Sequence, residues 1–158
     1  MKYQLGKALA TISFLVAMII VTTGSVQAQS QVRVNVPFDF TVANKTLPAG
    51  RYVVSRVQQY GTDSVLAISS ANGHTHLICL TYAVRSLDTK GKVTLVFHRY
   101  GDQSFLSQVW SGDSSTGRAF AQSRSEREIN RKAREAARNV VKNEAPMETI
   151  SLAGEPLK

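Results

Sequence analysis

The sequence predicts a mainly β domain, an antiparallel meander of about six strands forming a small barrel or a sandwich, followed by a C-terminal basic α-helix. Three observations carry this. Gln31 to Val42 alternates apolar and polar residues, as a half-buried strand does. Between Lys92 and Gly112, two β-favouring runs, Val93 to Arg99 and Ser104 to Trp110, flank Tyr100-Gly101-Asp102-Gln103, the form of a tight hairpin. After Gly117 the apolar period changes to three and four residues, and basic side chains accumulate.

The first residues fall outside this fold. Lys2 and Lys7 precede an uncharged apolar stretch from Ala8 to Val21, and Val26-Gln27-Ala28 has the small residues that a signal peptidase reads. Residues 1–28 are therefore expected to be a signal peptide; the competing reading is a retained membrane anchor, since no charge follows until Arg33. Removing 28 residues from 158 leaves 130, the size of one domain with its own core. Residues 29–117 form the expected β domain, 118–143 the basic helix and 144–158 a flexible tail with one strand-like patch at Thr149 to Leu152. The expected location is the periplasm or the medium, with no transmembrane span after cleavage. Cys79 is the only cysteine, so no internal disulfide can form, and its strand context predicts a buried, inert thiol.

In chain order, Val32, Val34, Val36, Phe38, Phe40 and Val42 share one side of the first strand, and Pro37 predicts an edge position or a break. Asn44 to Gly50 reads as a turn, with Pro48 and Gly50 as its markers. Arg51 to Gln58 and Ser64 to Ser70 are the next strands. Asn72-Gly73 predicts a type I′ hairpin into a strand from His74 to Ala83. There Ile78, Leu80 and Tyr82 face one way and Leu77, Cys79 and Thr81 the other, which predicts a central or well-covered strand. The Lys92 to Gly112 hairpin completes the meander. Ser123-Arg124-Ser125-Glu126 fits a capping box, as does the register two residues later. Ile129, Ala133, Ala136, Ala137, Val140 and Val141 then give a weakly apolar helix face.

Charge is concentrated in one segment. The net charge is +3 from Gln29 to Gly117, +5 from Arg118 to Lys142 and −2 from Asn143 to Lys158.

Three stretches, VPFDFTVANKTLPAGRYVV from Val36, LVFHRYGDQSFLSQVW from Leu95 and SRSEREINR from Ser123, together resemble a family of small exported bacterial proteins, hypothetical in function and common in acidobacteria. The resemblance spans most of the mature chain and implies strands followed by an Arg-rich helix. It supplies no functional residue. LPAGRYVV also looks like the Pro-Ala-Gly-x-Tyr segment of transthyretin-like and carboxypeptidase-regulatory β-sandwich modules.

The candidate chemistry is sparse. His74 and His76 lie two apart on a predicted strand and share a face, as two metal ligands would; a third ligand would have to come from His98. The plainer reading is a pair of exposed polar residues after a turn. Asp39, Asp63, Asp88, Asp102 and Asp113 sit mostly at turns, where aspartates bond their own backbone. No nucleophile elbow, Walker loop, dinucleotide fingerprint or His-Glu-x-x-His occurs, so an enzyme is not expected and no cofactor is implied. Tyr100 and Trp110 are the aromatic candidates for an exposed ligand contact. Arg127, Arg131, Arg134 and Arg138 stand in like-charge pairs four apart, a repulsion that an acidic partner would relieve. The functional expectation is an exported, non-catalytic binding or structural accessory of the envelope. Its partner would be an anionic envelope component or another envelope protein, and export disfavours nucleic acid. The alternative is a carrier of a small lipid or sugar, and after it a metal-dependent enzyme using His74 and His76.

Overall fold

The computed structural model describes residues 31–57, 64–86, 91–139 and 147–157. The expected signal peptide, Asp63, Asp88 and the helix end at 140–143 lie outside them. The strands are β1 (Gln31–Val36), β2 (Phe40–Val42), β3 (Lys45–Leu47), β4 (Gly50–Arg56), β5 (Val65–Ser70) and β6 (His76–Arg85), then β7 (Val93–Tyr100), β8 (Gln103–Ser111) and β9 (Thr116–Phe120). Helix α1 (Arg124–Asn139) follows, and β10 (Glu148–Ala153) and β11 (Glu155–Leu157) close the chain. The order across the sheet is β10-β7-β8-β9-β6-β5-β4-β1-β11, with β2 bridging from β3 to β8. All pairings are antiparallel except the parallel contact of β2 with β8 at Thr41 and Phe105. The result is a mixed, open sheet folded on itself in a sandwich-like form, and not a closed barrel.

The fold is driven by one shared core. Alternate residues of β1 to β9 turn inward, with Val34, Val36, Phe40, Leu47, Ile68, Leu95 and Phe97 almost wholly buried. Phe40 meets both Tyr52 and Phe97 edge-on, at 5.1 and 5.5 Å between ring centroids, a favoured aromatic geometry. Two bent stretches carry the sheet from one layer to the other. In β6, residues His76 to Leu80 pair with β5 and residues Thr81 to Arg85 with β9. At the bend, Thr81 donates its backbone N–H to Ser64 O at 2.7 Å and its hydroxyl to the same oxygen at 2.9 Å. The second bend is Gly154, which joins β10, paired with β7, to β11, paired with β1.

The six expected strands all form, with boundaries that follow local chemistry. Pro37 separates β1 from β2, as its missing N–H requires. The Tyr100 to Gln103 connection tightens to a two-residue loop, with Gly101 at a φ of 57°. A bulge between Val96 and Phe97 shifts the register of this hairpin. At Asn72-Gly73 the chain reverses, but only Gly73 has a positive φ, and the connection is five residues from Ala71 to Thr75. The Asn72 side chain replaces the type I′ geometry by accepting from Ser70 Oγ at 2.6 Å and from the His74 N–H at 3.2 Å.

Three expectations are corrected. Part of the Asn44 to Gly50 turn is β3, because Ala43 and Asn44 adopt φ of 48° and 68° and form a tight hairpin with β2. The loose tail, in which only Thr149 to Leu152 looks strand-like, instead forms two strands: β10 over that patch and β11 after it, held because Ile150 and Leu152 pack on the core while pairing with Phe97 and Leu95. The basic-helix segment does not begin at Arg118, which lies in β9.

Gly117 explains that last boundary. Read as a break in sequence, it is a strand glycine over which Trp110 lies: a Cβ there would fall 2.6 Å from Trp110 Cδ2 and Cε3. We expect Gly117→Ala to destabilise the fold by roughly 1 to 3 kcal/mol through this overpacking. Urea unfolding monitored by Trp110 fluorescence measures it, and an unchanged midpoint would contradict the contact.

Candidate functional site

The candidate site is the outer flank of α1, and its position is set by polar contacts at the helix start. Ser123 is the N-cap: its hydroxyl accepts the Glu126 N–H at 3.0 Å, and its carbonyl accepts the Arg127 N–H at 3.0 Å. The Arg124 N–H donates to Asn44 Oδ1 at 3.2 Å, tying the helix to the β2–β3 turn. Only half of the expected capping box forms. The Glu126 carboxylate goes to His98 on β7, with Oε1 2.9 Å from Nδ1, a distance at which Nδ1–H donates to the carboxylate. Glu126 is 4% exposed, so this contact lies under the helix.

Tyr100, two residues along β7 on the same face as His98, is buried and packs edge-on against Phe105 at 5.9 Å. Its hydroxyl finds no hydrogen-bond partner among the described residues. Burial first, and the Glu126 carboxylate second, push this hydroxyl above the ordinary tyrosine value of 10.0, while the Arg134 guanidinium pulls it back in part.

On the solvent side of α1, Arg127, Arg131 and Arg134 line a groove of about 250 Å³ with Gln122, Asn130 and Glu135. Arg131 donates to Glu135 at 2.9 Å and Arg134 Nε to Asn130 Oδ1 at 3.0 Å, each spanning one helical turn. Lys132 pairs with Glu128 at 3.1 Å, as the four-residue spacing favours. Arg127 has no ion pair among the described residues. Arg138 belongs to the last described turn of α1, and its side chain lies outside the described part. Three of the four arginine candidates thus share one concave surface. Exposed ion pairs of this kind contribute little to stability, so the arginines stay available to an external anion.

The other candidates are not brought together. Tyr100 and Trp110 are 6% and 3% exposed, so neither offers the exposed ring that a surface contact needs. Trp110 instead donates its Nε1–H to Gln108 Oε1 at 3.1 Å. His74 lines a shallow opening between the β3–β4 and β5–β6 connections, and His76 Nδ1 lies 2.8 Å from Ser69 Oγ. His98 is separated from their strand by β8 and β9 and is engaged by Glu126. Among the described residues no group of three or more His, Cys, Asp or Glu side chains converges. Asp39, between β1 and β2, accepts the Ala49 N–H of the β3–β4 connection at 2.8 Å, and Asp113 accepts the Ser111 hydroxyl beside its own turn, so both fasten connections. Cys79 is buried in the core, and burial pushes its thiol up.

The His98–Glu126 contact is what sequence reasoning missed. The signal was present in Glu126, but a carboxylate at that helix position has a local partner available, and nothing in sequence spacing points to a residue 28 positions away. Comparison of the chain with family models, with curated proteins and with solved structures finds no match. Among the described residues no helix is long and apolar enough to cross a membrane.

The tyrosine environment makes a test. A hydroxyl whose folded-state pKa lies above its unfolded value favours the folded chain while neutral. Its contribution is complete below about pH 10 and is lost as pH rises through the folded pKa. We therefore expect the alkaline fall in stability to start above about pH 10. Tyr100→Phe should be neutral or stabilising, within about 1 kcal/mol, because the hydroxyl it removes is unsatisfied. Denaturant titrations at pH 8 and pH 10.5 measure both, and a loss above about 2 kcal/mol at pH 8 would mean the hydroxyl is bonded.

Proposed function

We propose that the chain is an exported, non-catalytic β-domain that attaches to anionic components of the cell envelope through the arginine-lined flank of α1. The observation that carries this reading is the groove itself: Arg127, Arg131 and Arg134 converge on one concavity flanked by the amides of Gln122 and Asn130. Guanidinium and amide donors around a hollow are the chemistry that takes phosphate oxygens. The N-terminal lysines, apolar stretch and Val26-Gln27-Ala28 support export, and the order of strands followed by an Arg-rich helix agrees with the exported family that the sequence resembles.

The carrier reading needs a cavity between the layers. The opening lined by Val32, Val54, Leu66 and Val109 amounts to about 10 Å³, the volume of one water probe, so the interior lends a lipid or sugar carrier no support. The metal reading lacks its third ligand, since His98 is held by Glu126.

Each arginine near an anionic surface contributes about 1 kcal/mol of attraction. Replacing Arg127, Arg131, Arg134 and Arg138 by Gln should therefore weaken association with anionic vesicles by roughly 100- to 1,000-fold at low salt. The fold should be unchanged, because Gln is also a good helix former. Vesicle co-sedimentation at increasing salt measures this, and undiminished association of the variant would remove the helix from the account.

A further inference from the structure

The apolar groups on both faces of β6 predict a central or well-covered strand. It is central, between β5 and β9, and among the described residues its outer face is left exposed. Ile78, Leu80 and Tyr82 are 64%, 80% and 55% exposed and follow one another on alternate residues, pointing the same way. Their cross-strand neighbours on this face are apolar as well, the buried Ala67 opposite Ile78, the half-buried Val65 opposite Leu80 and the buried Ala119 opposite Tyr82. An ungrouped exposed leucine needs no explanation, but a row of three large side chains on one strand does.

The charge around this row says what it fits. β1, β4, β5, β6 and β9 contain no aspartate or glutamate. Register places Arg33, Val53, Ser69 and His76 in one row across the same outer face, and Arg51 lies beside Val53 on that side of β4. Both arginines are exposed. The one carboxylate of this layer among the described residues, Glu155, stands at the far edge opposite Arg33.

We infer that the outer face of β6 is a membrane-contacting surface that seats on anionic lipid. Ile78 and Leu80 enter the boundary between headgroups and acyl chains, Tyr82 sits at headgroup depth, and Arg33 and Arg51 meet lipid phosphates. A second copy of the chain is the poorer fit, since pairing two such faces would bring arginine-bearing layers together with Glu155, at the far edge, as the one carboxylate among the described residues to offset them. This rests on the envelope reading above but uses a different surface from α1.

The test uses the exported chain and vesicles of phosphatidylglycerol mixed with phosphatidylcholine. Ile78→Thr, Leu80→Thr and Tyr82→Thr combined replace the row by a strand-favouring β-branched residue and should leave the melting temperature nearly unchanged. Binding should fall about 10-fold or more, as loss of a small apolar insertion does. In a separate variant, Leu80→Trp, emission should shift to the blue on adding vesicles and be quenched by brominated acyl chains, whereas the buried Trp110 stays unaffected. If the threonine variant binds as well as wild type while the helix glutamine variant does not, this inference fails and the α1 reading stands. If only the threonine variant loses binding, the inference stands and the α1 reading fails. An unshifted Leu80→Trp emission with bound vesicles, or a wild-type dimer that the threonine variant alone disrupts, would each overturn the membrane assignment.

Discussion

The carboxylate of Glu126, buried between α1 and the sheet, is the constraint on which the placement of the helix depends. A carboxylate withdrawn from water must have a donor, and the one it meets is His98 on β7. Among the described residues little else grips the helix. Its sheet-facing residues include Ile129 and Ala133, which are only half-buried, and alanine offers little surface to bury. Ser123 caps the first turn and Asn44 accepts from Arg124, so three polar contacts at one end fix where the helix starts and which way it is turned. With Glu126 turned inward, helical geometry puts Arg127, Arg131 and Arg134 together on the free flank.

The sheet that supports this helix is unified by its interior. Phe97, the side chain with least exposure in the core, is touched edge-on by both Phe38 and Phe40, so β7 and the short β2 are held by the same ring. Because β7 also carries His98 and Tyr100 on its opposite face, core and helix are positioned by a single strand. The alternation that buries Leu95 and Phe97 inward presents His98 outward to the helix. The same alternation at β6 buries Cys79 and Thr81 and turns Ile78, Leu80 and Tyr82 to solvent.

Much of the fold was legible because period-two patterning is a local property. Val32, Val34 and Val36, the Val93 to Trp110 hairpin, the break at Pro37 and the cap at Ser123 all follow from neighbours within a few residues. What was not legible depended on distant partners. β10 reads as tail until Ile150 and Leu152 find Leu95 and Phe97, and Gly117 reads as a break until Trp110 is placed over it. Tyr100 and Trp110 read as exposed because they flank a turn or a strand end, yet Tyr100 is buried against Phe105 and Trp110 over Gly117. In the site, helical spacing was enough to group Arg127, Arg131 and Arg134. Arg131 pairs with Glu135 although the base precedes the acid, the less favourable order.

The most direct test of export and electrostatic attachment is the intact mass of the chain recovered from periplasm, salt-washed membrane and medium. The account predicts a mature form beginning at Gln29 that stays with the membrane at low salt and leaves it at high salt, where screening shortens to about 3 Å. A full-length chain retained in the membrane after the salt wash would contradict the processing, and a mature chain found only in soluble fractions at low salt would contradict the attachment.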